Sequence, residues 1–208
     1  MADPYVTVDE FKTWSSWPTD TDDDPVINDA LKSSSSAIDH YCSTQFWKTA
    51  AGTNRFFDTC DTRRLRINDA AAVTGIATDK NADGVYETVW APADFQLLPL
   101  NPTAAPETLP FTEILAVGSL TFPAASSEMR VGLIQVTGTW GWAAIPEAVA
   151  EATRLMTNRL LKRRQSPEGI LNSDDFGTIR VSPREDPDAV RLLTPYRTNR
   201  RVGGWAFA

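Results

Sequence analysis

Cysteine and histidine are nearly absent. The 208 residues include 2 Cys, Cys42 and Cys60, and a single His, His40. There is no CxxC and no histidine cluster, so a zinc site would lack its soft ligands. Two buried thiols, rather than a disulfide, are the expected state of Cys42 and Cys60. No apolar run approaches the roughly 20 residues of a membrane span. The start, Met1-Ala2-Asp3-Pro4-Tyr5, has neither a basic stretch nor an apolar one. It reads as lacking a signal peptide, which implies synthesis in the cytoplasm. P-loop, GxGxxG, HExxH and GxSxG motifs are all missing. Carboxylates are plentiful, but none stands isolated in an apolar stretch that would raise its pKa. No catalytic residue and no cofactor are expected, and the chain reads as a non-enzyme.

Positive charge is scarce in the first half. Residues 1–100 hold 8 Lys and Arg against 16 Asp and Glu, while residues 154–201 hold 11 against 6. An acidic protein, here of net charge −7, gains little from neutralising phosphates, so ordinary DNA binding is disfavoured. The asymmetry suits a subunit that meets its partners head to tail. What the chain does have is a core: 42% hydrophobic residues and 7 Trp. That is enough for one domain, or for one domain with an inserted module.

Helix signals open the chain. Thr7-Val8-Asp9-Glu10 has the spacing of a capping box, with Thr7 as N-cap and Glu10 at N3. A short helix through Phe11 and Trp14 should follow and end by Pro18. Asp24 as N-cap and Pro25 at N1 start a second helix, expected from Pro25 to Phe46. Ile27, Leu31, Ser34, Ile38, Tyr41 and Gln45 step by four and three and mark one face. The serine run 33–36 offers small residues for close packing and makes a poor nucleophile, since no base-orienting arrangement surrounds it.

From about Thr53 to Trp142 the period changes to that of strands. Short runs at 55–57, 64–67, 73–78, 85–90, 94–98, 112–117, 120–122 and 131–140 predict a β module, with a hairpin turn at Asp83-Gly84. Pro146 at N1, Glu147 in the first turn and Lys162-Arg163-Arg164 in the last predict a helix over 146–164. Its core face should be Val149, Ala152, Met156 and Leu160. A strand is possible at 176–181, and Asp186-Pro187-Asp188 starts a short helix through Leu192 and Leu193. The basic, aromatic segment from Thr194 to Ala208 has little to fold against by itself. The expected fold class is α+β. An antiparallel helical core (1–52 and 143–185) carries an inserted β-hairpin and β-sheet module (53–142) and an extended C-terminal arm (186–208).

Two stretches invite chemistry. Asp79-x-Asn81-x-Asp83-Gly84 matches the first half of a calcium loop of the EF-hand type, with oxygen ligands at alternate positions. The twelfth position is Trp90 where Glu is needed, and the flanks read as strands. Asp79, Asn81 and Asp83 are therefore weak metal candidates, and a metal-free hairpin turn is the simpler reading. The cluster Arg159, Lys162, Arg163, Arg164 offers phosphate contacts, yet it is also what a helix C-terminus ordinarily carries.

Several strings carry a family resemblance. Val136-Thr137-Gly138-Thr139-Trp140-Gly141-Trp142, followed by Ile145-Pro146-Glu147-Ala148-Val149 and Arg159 to Arg164, resembles the central block of head-to-tail connector adaptors of tailed bacteriophages. Asp186-Pro187-Asp188-Ala189-Val190-Arg191-Leu192-Leu193-Thr194-Pro195-Tyr196-Arg197 is similar to their C-terminus. Asp83-Gly84-x-Tyr86-Glu87-Thr88 and Leu97-Leu98-Pro99-Leu100-Asn101 look like members from phages of actinobacteria. The resemblance spans nearly the whole chain, and the β insert is longer than in the smallest, all-helical adaptors. It implies a ring, usually twelvefold, beneath the portal protein. Such a ring extends the DNA channel, lets packaged DNA pass without specific binding, and docks the next neck or tail protein. It is a virion component, without catalytic residues, assembled in the host cytoplasm. Leu192, Leu193, Tyr196, Arg197, Trp205 and Phe207 are the candidate portal- or partner-binding residues, as anchors that order on a partner. Another neck or tail-completion protein, or a small calcium-dependent binding module, are the alternatives.

Overall fold

The computed structural model describes residues 3–103, 107–124, 131–165, 170–171, 179–180 and 186–197. The chain divides into two compact units, Met1–Thr44 with Ile145–Ala208, and Gln45–Ala144. Among the described residues there are four α-helices and a six-stranded antiparallel sheet, together with a pair of two-residue strands, Ile170–Leu171 and Ile179–Arg180. The fold class is α+β, as the sequence predicts. Among the described residues, no helix is long and apolar enough to cross a membrane.

The first unit is helical. In α1 (Val8–Ser15) the capping box is complete: Thr7 N–H donates to Glu10 Oε2 at 2.8 Å, and Glu10 N–H donates to Thr7 Oγ1 at 3.3 Å. Two of the helix's orphan donors are thereby satisfied. α2 spans Asp24–Cys42. It begins one residue before the predicted start: Asp23 is the N-cap and makes no side-chain cap bond, while Asp24 pairs with the buried Lys12. It also ends earlier than Phe46, at Ser43, which takes a left-handed conformation with φ 54°. α1 and α2 run antiparallel. Tyr5 N–H donates to Ser35 Oγ at 3.1 Å, while Trp17 Nε1 donates to Asp23 Oδ2 at 3.2 Å, toward the other end of α2.

α3 spans Glu147–Gln165, and Pro146 precedes it, its carbonyl accepting from Val149 and Ala150 N–H at 3.0 Å each. Its buried residues are Val149, Ala150, Ala152, Thr153, Thr157 and Leu161. Leu160, expected in the core, is instead 41% exposed. The helix is turned by about one residue from the predicted face, because small and hydroxylated side chains line the contact with α2. There Thr157 Oγ1 donates to Ser34 Oγ at 3.0 Å, both groups fully buried. A satisfied hydroxyl pair permits the close approach that the serine run suggests. Val6, Phe11, Ile27, Leu31, Ala150 and Leu161 form the core beside it. The thiol of Cys42 is buried, and burial pushes its pKa up to about 11. Cys60 is exposed, against expectation, in the loop after the first strand.

The second unit is the sheet, in the order β1 (Thr53–Phe57), β6 (Ile134–Trp140), β2 (Arg64–Thr78), β5 (Phe111–Ala116), β4 (Phe95–Leu98), with β3 (Thr88–Trp90) also on β2. The two predicted runs at 64–67 and 73–78 are one 15-residue strand. Register shifts between Arg66 and Ala70, Ala70 and Ala72, and Val73 and Gly75 change which residues face inward. Leu65 and Ile67 are buried early, but Ile76 and Thr78 late. Bulges of this kind re-aim a strand without ending it. Residues 120–122 form no strand. Phe122 instead stacks on Trp90, centroids 4.6 Å apart, in a core with Leu65, Ile114, Val136 and Trp140. The predicted strand 176–181 lies largely outside the described residues.

Candidate functional site

The aspartate loop explains itself without an ion. The hairpin of β2 and β3 pairs Thr78 with Thr88, leaving residues 79–87 as the connection. Asp79 is buried and accepts Ala82 N–H at Oδ1 and Gly84 N–H at Oδ2, both at 2.7 Å. Asp83 Oδ1 accepts Val85 N–H at 2.7 Å, and Asn81 Nδ2 donates to Asp83 Oδ2 at 3.0 Å. Oxygens of Asp79, Asp83 and Glu87 do lie within 4.8 Å of one another. Yet both Asp79 oxygens serve backbone amides, so the alternating pattern has a structural use: side chains that turn the chain.

The glycine-tryptophan string, one of the carriers of the resemblance, is also architectural. Gly141 has φ +100°, and a Cβ there would overlap the Trp47 carbonyl. A Cβ on Gly138 would overlap the Ala72 carbonyl at the bulge of β2. Trp140 is fully buried, and its indole N–H donates to Thr53 O at 2.8 Å while Arg55 lies 4.7 Å over its ring. Arg63, Arg64 and Arg66 are on the surface while Leu65 between them points into the core, and Arg64 and Arg66 approach Glu113 at 3.6 and 3.5 Å.

The C-terminal block folds with its own unit. In α4 (Pro187–Leu193) the Asp186 side chain caps Asp188 N–H at 3.0 Å and also faces Arg159 at 3.8 Å. Ala189 and Leu193 are buried. α4 packs on α3, and Leu193, one of the candidate partner residues, is buried within the subunit. Leu192 and Tyr196 are half-buried, and Arg197 is exposed with its guanidinium 5.4 Å from the Tyr41 ring. These three are brought together at the end of α4 and the turn after it. Trp205 and Phe207 lie outside the described residues. Lys162, Arg163 and Arg164 are exposed at the end of α3.

A feature that the sequence did not single out lies between α1 and α3. A groove of about 450 Å³ is lined by Asp9, Glu10, Thr13, Trp14 and Arg154. Arg154 NH1 binds Glu147 Oε1 at 2.8 Å and Glu151 Oε2 at 3.1 Å. The hydrogen bond from Thr7 N–H holds the Glu10 carboxyl below the usual range. The groove is thus lined by two carboxylates, Asp9 and Glu10, and by the Arg154 guanidinium, which Glu147 and Glu151 hold from beside it. Its sequence signal is the i, i+4, i+7 spacing of Glu147, Glu151 and Arg154.

No family model and no curated protein matches the chain. Solved structures do, over nearly its full length. A chain from the neck of an empty gene transfer agent particle, computed with C6 symmetry, is similar with a TM-score of 0.59 and 20% identity, covering 98% of this chain and 96% of that one. A chain from the neck of the native particle, computed with C12 symmetry, gives 0.53 and 21% over 98% and 99%. A chain of the native gene transfer agent virion gives 0.53 and 22% over 98% and 96%. The protein is thus an α+β chain with the fold of neck proteins of a phage-like particle. Both units of the fold take part in the likeness, since it leaves almost none of the chain out.

Proposed function

We propose that this chain is a structural component of the neck of a phage-like virion, and more specifically the ring-forming adaptor beneath the portal. The observation that carries the reading is coverage: helical unit and β unit together correspond to whole chains found in such necks. The sequence strings at 136–149 and 186–197 point independently to the same class. In this role the chain assembles as a closed ring, dodecameric in keeping with the twelvefold neck. The ring seats on the portal, extends the DNA channel, and presents a surface to the next neck or tail protein. DNA passes through it without specific binding. No step of this role calls for catalysis or a cofactor. Leu192, Tyr196 and Arg197, with Trp205 and Phe207 beyond them, are the residues proposed to meet the portal. The place of action is the virion neck, after assembly in the host cytoplasm.

The test is to mix the purified chain with the portal ring of the same particle and image the product by cryo-electron microscopy. A ring of copies seated on the portal, with 186–208 at the contact, is the expected result. A folded, monodisperse chain that forms no complex with the portal overturns the adaptor role. If it binds instead to a later neck or tail component, the alternative of a tail-completion protein takes its place.

A further inference from the structure

The two flanks of α3 are chemically opposite. At about 100° per residue, Arg154 lies roughly 60° to one side of the buried Thr157 and Leu160 roughly 60° to the other. Glu151 and Arg163 continue these two flanks, each at roughly 120° from Thr157. One flank, with α1, builds the groove: Trp14, 36% exposed, lines it with Asp9, Glu10, Thr13 and Arg154, and Glu147 and Glu151 flank it through their ion pairs to Arg154. The other flank carries Leu160, 41% exposed, with Arg163 and Arg164 three and four residues further along the helix. An apolar recess flanked by carboxylates and an apolar knob rimmed by guanidinium groups thus lie on different flanks of one helix, roughly 120° apart.

Surfaces that are complementary yet lie on different flanks of one rigid helix cannot meet each other within one copy. They satisfy each other between copies, and the contact is then heterologous, closing into a ring where the rotation permits. Resting on the ring reading above, we propose that the α1–α3 groove of one copy receives the Leu160–Arg163–Arg164 flank of the next. The occupant is a second copy of this chain. Opposite charge at the rim sets partner orientation and speeds encounter, and the Leu160 side chain against Trp14 supplies the apolar anchor.

Charge exchange tests this directly. E147K/E151K gives a copy whose groove and knob are both basic, and R163E/R164E gives one in which both are acidic. Each variant alone should lose ring assembly on the portal, with self-association weakened at least about tenfold. An equimolar mixture should regain it, because each groove then meets a knob of opposite charge, and native mass spectrometry should find the two variants in equal number. Thermal melts show that each variant is folded. Either variant forming rings alone, or a mixture of folded variants that fails to form them, overturns the interface. A wild-type chain that forms no ring contradicts the adaptor reading; rings from the wild type and both variants alike contradict the interface only.

Discussion

Asp79 shows how one side chain can imitate a ligand site. Its two oxygens each accept a backbone N–H at 2.7 Å in a part-buried turn. Removing them leaves two half-buried amides without their acceptors, at a cost of about 1–3 kcal/mol. Asp79→Ala should therefore lower the melting temperature, and by the same amount in millimolar calcium as in chelator. If calcium raises the wild-type melting temperature but not that of the variant, the loop is an ion site after all. At this scale much was legible, because the relevant partners are neighbours in sequence. Thr7 and Glu10 sit three residues apart and close their box. Leu160 was misplaced because Leu160 and Leu161 fit a helical stripe equally well, and the choice between them depends on Ser34, more than a hundred residues away. The burial of Leu193 was hidden for the same reason: nothing local says that α4 lies on α3.

Elements were legible wherever their period stayed constant. α1, α4 and β1 fall within a residue or two of expectation, and α3 differs by one residue at each end. β2 did not, since its bulges switch the inward-facing residues midway and so break the alternation that announces a strand. Residues 120–122 have strand-like composition but give Phe122 to the core by stacking on Trp90, not by pairing. The glycines at 138 and 141 belong to this scale, as they decide how closely chain segments approach. Gly141→Ala places a methyl where the Trp47 carbonyl stands, with φ at +100°. The variant should lose about 2–4 kcal/mol of stability, read by urea denaturation. An unchanged midpoint would mean that residues 45–48 readily give way.

For the whole molecule, what the sequence could not display is anything assembled from distant segments. The α1–α3 groove joins residues 9–14 to Arg154, and neither alone suggests a recess. The division into two units is likewise a matter of contacts, not of composition. One feature of the β unit bears on how such chains diversify. Thr49 N–H donates to Trp140 O at 2.8 Å and Trp140 N–H returns to Thr49 Oγ1 at 3.0 Å, while Trp47 lies against Gly141. The unit's first and last residues are clasped side by side. Residues 45–144 expressed alone should then fold cooperatively, with amide-exchange protection along β2 and β6; a disordered fragment would refute this. A segment that leaves and rejoins its host through one gap can be lengthened, trimmed or exchanged by recombination with little cost to the host's folding. The clasp therefore lets this half of the protein change in length or sequence while the ends that join it to the rest of the chain stay in place.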